Sequence, residues 1–180
     1  MKRIAITGGI AEGKSTVLGY CKEAGYSVCS ADDIAKAIFH ETALQDRLAE
    51  LFDLEPPVET ADVRRLIAGS DFLRRSLNQL THRAIMDAMM SCRAQVNEVP
   101  LLIESCIQGE FDRIWVVTCG ELEQRKRLEA RLGQAEAAHL LATQLPSRVK
   151  TAFADTVIRT NQPENHVQAF VLACLSCEFG

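Results

Sequence analysis

Ile4-Ala5-Ile6-Thr7-Gly8-Gly9-Ile10-Ala11-Glu12-Gly13-Lys14-Ser15-Thr16 is the stretch on which the fold turns. Its first four residues make a short β-branched strand, and its middle is punctuated by glycine. From Lys14 onward Val17, Leu18 and Cys21 recur on one helical stripe until Gly25, a natural helix stop. Strand, glycine turn and helix therefore bracket Gly8-x-x-x-x-Gly13-Lys14-Ser15, the Walker A pattern. Glycines let such a loop wrap so that successive N–H groups face phosphate oxygens, and the helix N-terminus adds its positive dipole end. Lys14 is expected to neutralise charge between the β- and γ-phosphates of ATP, and the Ser15 hydroxyl to complete a Mg²⁺ shell. Gly8, Gly9, Ile10, Ala11, Glu12, Gly13, Lys14, Ser15 and Thr16 form the expected phosphate cradle. Because the cradle works through backbone N–H groups, the acidic Glu12 side chain is expected to point outward.

Outward from this loop, apolar runs and breakers alternate as strand and helix, which argues for a parallel sheet with helices on both faces. Ser27-Val28-Cys29 reads as the second strand, and Asp32 or Asp33 opens a helix. From Leu44 to about Asn97 the pattern is helical, broken at Glu55-Pro56-Pro57. Strands are expected again at Val99-Pro100-Leu101-Leu102-Ile103, at Ile114-Trp115-Val116-Val117 and at Thr156-Val157-Ile158, giving five in all. Helices are expected over 122–132, 135–141 and 167–175.

The 180 residues suffice for one buried core plus a small insert. A formal net charge of -4 gives no general attraction to nucleic acid or anionic membrane. No apolar run approaches the roughly 18 residues that span a bilayer. Met1-Lys2-Arg3 followed by Ile4-Ala5-Ile6 imitates a signal peptide, but Gly8 and Gly9 cut the apolar run to strand length. The seven cysteines are odd in number and irregular in spacing, with only Cys174-x-x-Cys177 paired, so they read as thiols of a reducing compartment rather than zinc ligands. The expected location is the cytoplasm.

Several side chains could carry chemistry. Asp32 and Asp33 follow the second strand, where a carboxylate can accept a proton from an attacking hydroxyl or can simply cap a helix. Glu104, read as the end of the third strand, is either a second site acid or a solvated one. Arg125, Lys126, Arg127 and Arg131 lie on one charged helix, with Arg127 and Arg131 four apart on a shared face. Such a helix is either solvated or a lid closing over a nucleotide to stabilise the transferring phosphoryl group. His82 sits among apolar neighbours, which favours a hydrogen-bonded core histidine over a ligand-binding one.

In order along the chain, these segments resemble the dephospho-coenzyme A kinase family. The Thr7-Gly8-Gly9-Ile10 lead-in is similar to that family's phosphate loop, and Ala31-Asp32-x-Ile34-Ala35-Lys36 to its Asp-Ala-Asp-x-Ile-Ala-Arg segment. Leu77-Asn78-x-Leu80-x-His82 and Val99-Pro100-Leu101-Leu102-Ile103-Glu104-Ser105 resemble its helical-subdomain and Val-Pro-Leu-Leu-Phe-Glu-Ser stretches. Gln124-x-x-Arg127-Leu128-x-x-Arg131 looks like its lid helix, and Gln144-x-Pro146 through Lys150, Ala154-Asp155-x-Val157-Ile158 and Asn161 like its C-terminal part.

The resemblance implies a three-layer α/β P-loop kinase with a parallel five-stranded sheet. Its core would span about 1–40, 98–120 and 150–180, a helical acceptor-binding insert about 41–97, and a helical lid about 121–149. It implies phosphorylation of the ribose 3′-hydroxyl of dephospho-coenzyme A by ATP and Mg²⁺, in a monomer or weak homo-oligomer. Asp32 would be the base, Lys14 and Arg131 the charge stabilisers, Arg127 and Lys150 nucleotide neighbours, and His82 and Glu104 acceptor contacts. An ordinary aspartate is already ionised at neutral pH, so a base here needs no special tuning. Ser30 departs from the first Asp of Asp-Ala-Asp, Arg83 from the Pro after His82, and Ala11-Glu12 from the usual Gly-Ser of the loop. An adenylate-kinase-like enzyme for another small alcohol shares the loop and arginines but not the other segments. A weakly active nucleotide-binding regulator is the reading that Ser30 and Glu12 motivate.

Overall fold

A computed structural model describes residues 2–180. They separate into two compact units: Ala31–Arg93, and the described residues on either side of it.

The flanking unit is built on five parallel strands in the order β2-β3-β1-β4-β5. They are β1 (Ile4–Thr7), β2 (Val28–Ser30), β3 (Val96–Glu98), β4 (Arg113–Thr118) and β5 (Thr156–Arg159). The central strand β1 pairs with β3 through Ile4↔Val96 and Ile6↔Glu98, and with β4 through Ile6↔Trp115. Side chains alternate across a strand. Ile4, Ile6, Val96, Trp115, Val117 and Ile158 accordingly share one cluster with Val17, Tyr20 and Cys21 of α1 (Lys14–Glu23) and with Val167, Val171 and Leu175 of a C-terminal helix. Ala5 and Val116, facing the other way, are equally inaccessible, as befits strands covered on both faces.

The third strand is not where its apolar run suggested. Val99–Ile103 forms turns, and the strand is the more polar Val96-Asn97-Glu98 before it. Pro100 explains the shift. The Val99 N–H still donates to the Ile6 carbonyl (2.8 Å), but Pro100 has no N–H to extend the ladder, so the chain leaves the sheet. Buried Asn97 is tolerated inside the strand because its amide donates to the Ile4 and Ala94 carbonyls. The carboxylate at the strand's end is therefore Glu98, and Glu104 lies six residues beyond it in the turns.

The Ala31–Arg93 unit holds α2 (Ala31–Phe39), α3 (Thr42–Phe52), α4 (Thr60–Ala68) and α5 (Asp71–Cys92). Its core is Ile38, Leu44, Leu48, Phe52, Val58 and Val63, with Leu77 and Leu80 of α5 packed against it. The unit begins at Ala31 rather than near residue 41 because Ile34 and Ile38 of α2 join this cluster. Gln45 closes its loop, donating to the Phe39 carbonyl (2.7 Å) and accepting the Val58 N–H (2.6 Å). Beyond β4 the flanking unit continues as α6 (Glu121–Leu132), α7 (Gln134–Ala142), α8 (Ser147–Lys150) and, after β5, α9 (Glu164–Phe179).

Candidate active site

The loop between β1 and α1 has the backbone that the glycine pattern demands. Gly8 (φ 149°) passes so close to β4 that a Cβ there would stand 2.2 Å from the Val117 carbonyl oxygen. Gly13 (φ 92°) takes the N-cap position of α1 in the left-handed region, where glycine carries no Cβ penalty. Ala11, at φ 61°, takes a left-handed conformation without that exemption, at a cost of roughly 1–2 kcal/mol. The first turn of α1 follows at once, and its N–H groups have no carbonyl one turn back.

A cleft of about 500 Å³ opens over this turn, lined by Ala11, Gly13, Lys14, Ser15 and Thr16 and, from α6, by Arg127 and Arg131. Lys14 is largely buried and donates from Nζ to the Gly9 carbonyl (2.9 Å), so its ammonium lies along the loop. Arg127 is fixed from two sides, pairing with Glu123 (2.9 Å) and donating to the Thr160 carbonyl (3.0 Å). Arg131, one turn on, is exposed and enters no ion pair among the described residues. One held and one loose guanidinium thus face the cleft beside a lysine and a helix N-terminus. The arrangement suits a polyanion with three or four negative charges.

Ser15 donates from Oγ to Oε1 of Glu98 (3.2 Å). Glu98 is buried at the carboxyl end of β3, next to β1, and is scarcely marked in the sequence because the strongest apolar run comes after it. The only signal available was an acid immediately before Val99-Pro100.

Three other expectations meet a different arrangement. Glu12 does not point outward: it is inaccessible to solvent, and its carboxylate accepts from the Gly9 N–H, Thr118 Oγ1 (2.8 Å) and Ser147 Oγ (2.7 Å). The loop binds through its backbone, and the space beneath it is where a side chain finds donors. His82 is exposed on α5 rather than a core residue, since the apolar stripe that packs inward runs through Leu77, Leu80 and Ile85. Lys150 is fully buried, with Nζ 2.8 Å from Glu104 Oε1 and 3.3 Å from the Pro100 carbonyl. Glu104 Oε1 also accepts the Leu145 N–H (3.1 Å), while Oε2 has no partner among the described residues. Lys14, Ser15, Arg127 and Arg131 are thus brought together, and Lys150 is brought to Glu104. Asp32 is exposed near the start of α2, and it and His82 belong to the Ala31–Arg93 unit.

All seven cysteines are free, and burial pushes the thiols of Cys119, beside Gly120, and of Cys21 up, the latter to about 12. Both are therefore held in the unreactive thiol form at neutral pH.

A family model described as dephospho-CoA kinase matches residues 2–165. The dephospho-CoA kinase of Streptococcus mutans is 32% identical over 178 residues, covering 89% of each chain. Among solved structures, TT1252 from Thermus thermophilus superposes with a TM-score of 0.83 at 25% identity, covering 99% of this chain and 98% of that one. A dephospho-CoA kinase from Campylobacter jejuni shares the fold, with a TM-score of 0.66 at 20% identity over 97% and 96% of the two chains.

Proposed function

The chain belongs to the dephospho-CoA kinase family, and from that premise we propose that it transfers the γ-phosphoryl group of ATP to the ribose 3′-hydroxyl of dephospho-coenzyme A. The observation that carries the reading is the cleft over the first turn of α1, where Lys14, Arg127 and Arg131 converge on a Walker A loop. Phosphoryl transfer passes through a loose transition state, so catalysis rests on holding the two reactants in line and neutralising oxygen charge. Lys14 and Arg131 supply that neutralisation, and Arg127, tethered to Glu123 and Thr160, orients the polyphosphate. Asp32 accepts the proton of the attacking hydroxyl, and the exposed His82 and the Glu104 carboxylate serve the acceptor. Lys150 acts indirectly, by fixing Glu104 through their ion pair.

Mg²⁺ fits the residues present. The Ser15 hydroxyl and the Glu98 carboxylate are hard oxygen donors 3.2 Å apart, and Glu98 would hold the ion directly or through water. Magnesium keeps much of its water and is held by few protein oxygens plus substrate phosphates, which this small donor set suits. When bound it would screen the phosphate oxygens against the incoming hydroxyl. No helix among the described residues is long and apolar enough to cross a membrane. Exposed free thiols at Cys92, Cys106 and Cys177 support a reducing cytoplasmic setting, in which we take the enzyme to work as a monomer or weak homo-oligomer.

The test is ADP release from Mg²⁺-ATP with dephospho-coenzyme A, AMP or shikimate as acceptor, with the product weighed by mass spectrometry. Turnover dependent on dephospho-coenzyme A with coenzyme A as product is expected; turnover with another acceptor alone would replace this assignment. Asp32→Asn is expected to lower kcat by about 10²-fold with little change in KM for ATP. If Asp33→Asn is the damaging change instead, the base is the neighbouring residue.

A further inference from the structure

Glu12 is a carboxylate buried beneath a loop that receives a polyanion, and no lysine, arginine or histidine forms an ion pair with it among the described residues. A charge so placed persists only if hydrogen-bond donors replace its water. Three do, and each comes from a different part of the flanking unit. The Gly9 N–H belongs to the loop itself, the Thr118 hydroxyl to the end of β4, and the Ser147 hydroxyl to the start of α8. Thr118 Oγ1 in turn accepts the Gly120 N–H (3.1 Å), so its proton is committed to Glu12. Thr160 Oγ1 donates to the Glu12 carbonyl (2.7 Å), and the Thr160 carbonyl holds Arg127.

The neighbouring loop residue is bound to the same surroundings. The Ile10 N–H donates to Gln144 Oε1 (3.0 Å), and the Ile10 carbonyl accepts from Gln124 Nε2 (2.9 Å). Gly9 leaves no slack, because a Cβ there would lie 2.9 Å from the Glu12 carboxylate and 2.3 Å from the Gln124 amide nitrogen. A serine at position 12, the residue of the loops this one resembles, offers no carboxylate to collect these donors.

We propose that Glu12 is a positioning residue: it pre-forms the phosphate loop and ties its shape to Thr118 and to the Ser147–Lys150 helix, so that ATP meets a cradle already assembled. The proposal rests on ATP being the ligand of the cleft. Left-handed Ala11 makes such a tie necessary, since a loop with an alanine at φ 61° gains by relaxing unless its neighbours hold it. A ligand's apparent affinity falls in proportion to the fraction of protein in the competent form. Removing the carboxylate is expected to show as weakened ATP binding more than as a slower chemical step.

The experiment measures ATP affinity by direct titration, together with kcat and KM, for the wild type, Glu12→Ala, Glu12→Gln and Ser147→Ala. Glu12→Ala is expected to raise the ATP dissociation constant and KM by about 10-fold with kcat changed far less. Glu12→Gln, which retains an oxygen for the Gly9 N–H while hydroxyls can rotate, is expected to restore most of that loss. Ser147→Ala removes one donor without touching the loop, and a several-fold rise in the ATP dissociation constant is expected. It also serves as the probe if Glu12→Ala does not fold. The proposal is overturned if Glu12→Ala only melts earlier and binds ATP normally when folded, if Glu12→Gln is as damaged as the alanine variant, or if Ser147→Ala leaves ATP affinity untouched. A wild type that binds no ATP would overturn the assignment of the cleft and this proposal with it.

Discussion

The two units of the chain use polar groups in opposite ways. Among the described residues every buried charged one, namely Glu12, Lys14, Glu98 and Lys150, lies in the unit that carries the sheet and the phosphate loop, and each has partners. The Ala31–Arg93 unit buries no charge; its buried polar residue is Gln45. Its ion pairs among the described residues join side chains three or four apart on exposed helix faces, as in Asp62–Arg65 and Asp71–Arg74. Polyphosphate recognition needs charges fixed in advance, and burial with hydrogen bonds fixes them. The helical unit is instead held by an apolar cluster, which carries little information about where a polar side chain must stand. The difference teaches that one unit fixes its charges by burial and hydrogen bonds, whereas the other leaves its charges on the outside.

Lys14→Ala strikes the first unit hardest. It removes the ammonium that lies along the loop and leaves the Gly9 carbonyl without that donor. Turnover should fall by about 10³-fold or more, as when a transition-state charge donor is deleted, while circular dichroism and melting change little. Near-normal turnover would break the comparison at its root, because the loop's buried charge would then serve the fold alone.

Lys150→Met separates stability from chemistry within the same unit. The variant leaves Glu104 half-paired in a poorly hydrated place and should cost about 3 kcal/mol in denaturant unfolding. Adding Glu104→Gln should recover much of it, since the stranded charge is the main penalty. A Lys150→Met enzyme as stable as the wild type would show that this pair is solvated in solution, and the contrast between the units would lose one of its four buried charges.

The legibility of the sequence follows the same division. The loop could be read at once because its constraints leave glycines in the sequence itself: a Cβ at Gly8 would meet the Val117 carbonyl, and the αL cap at Gly13 favours glycine. Strand β3 was misplaced because apolarity was followed past a proline that cannot donate to the ladder. Lys14, Ser15, Arg127 and Arg131, each marked in the sequence by the Walker pattern or by helical spacing, line one cleft. Glu98, Thr118, Ser147 and Thr160 carry no such mark, because what sets them apart is a partner far along the chain rather than any residue beside them. Glu12 was misjudged for the same reason: an acid near a polyanion looks excluded until the donors beneath it are known. The exposed His82 could not be told from a core histidine, since a 22-residue helix with a narrow apolar stripe offers both environments at neighbouring positions.

The smallest effect is expected where the helical unit looks most polar. Arg65 Nη2 lies 2.7 Å from Asp62 Oδ1 on α4, but the arginine side chain is 74% exposed. Water screens such a pair, and ordering a long side chain offsets much of the attraction, so Arg65→Ala should change stability by no more than about 0.3 kcal/mol. Alanine's higher helix propensity pulls the other way. Unfolding curves and turnover should both overlay the wild type within error. A loss above about 1 kcal/mol would lie beyond what an exposed pair gives. It would mean that polar bonding holds the Ala31–Arg93 unit after all, and that the two units differ in where their charges sit rather than in what their charges do.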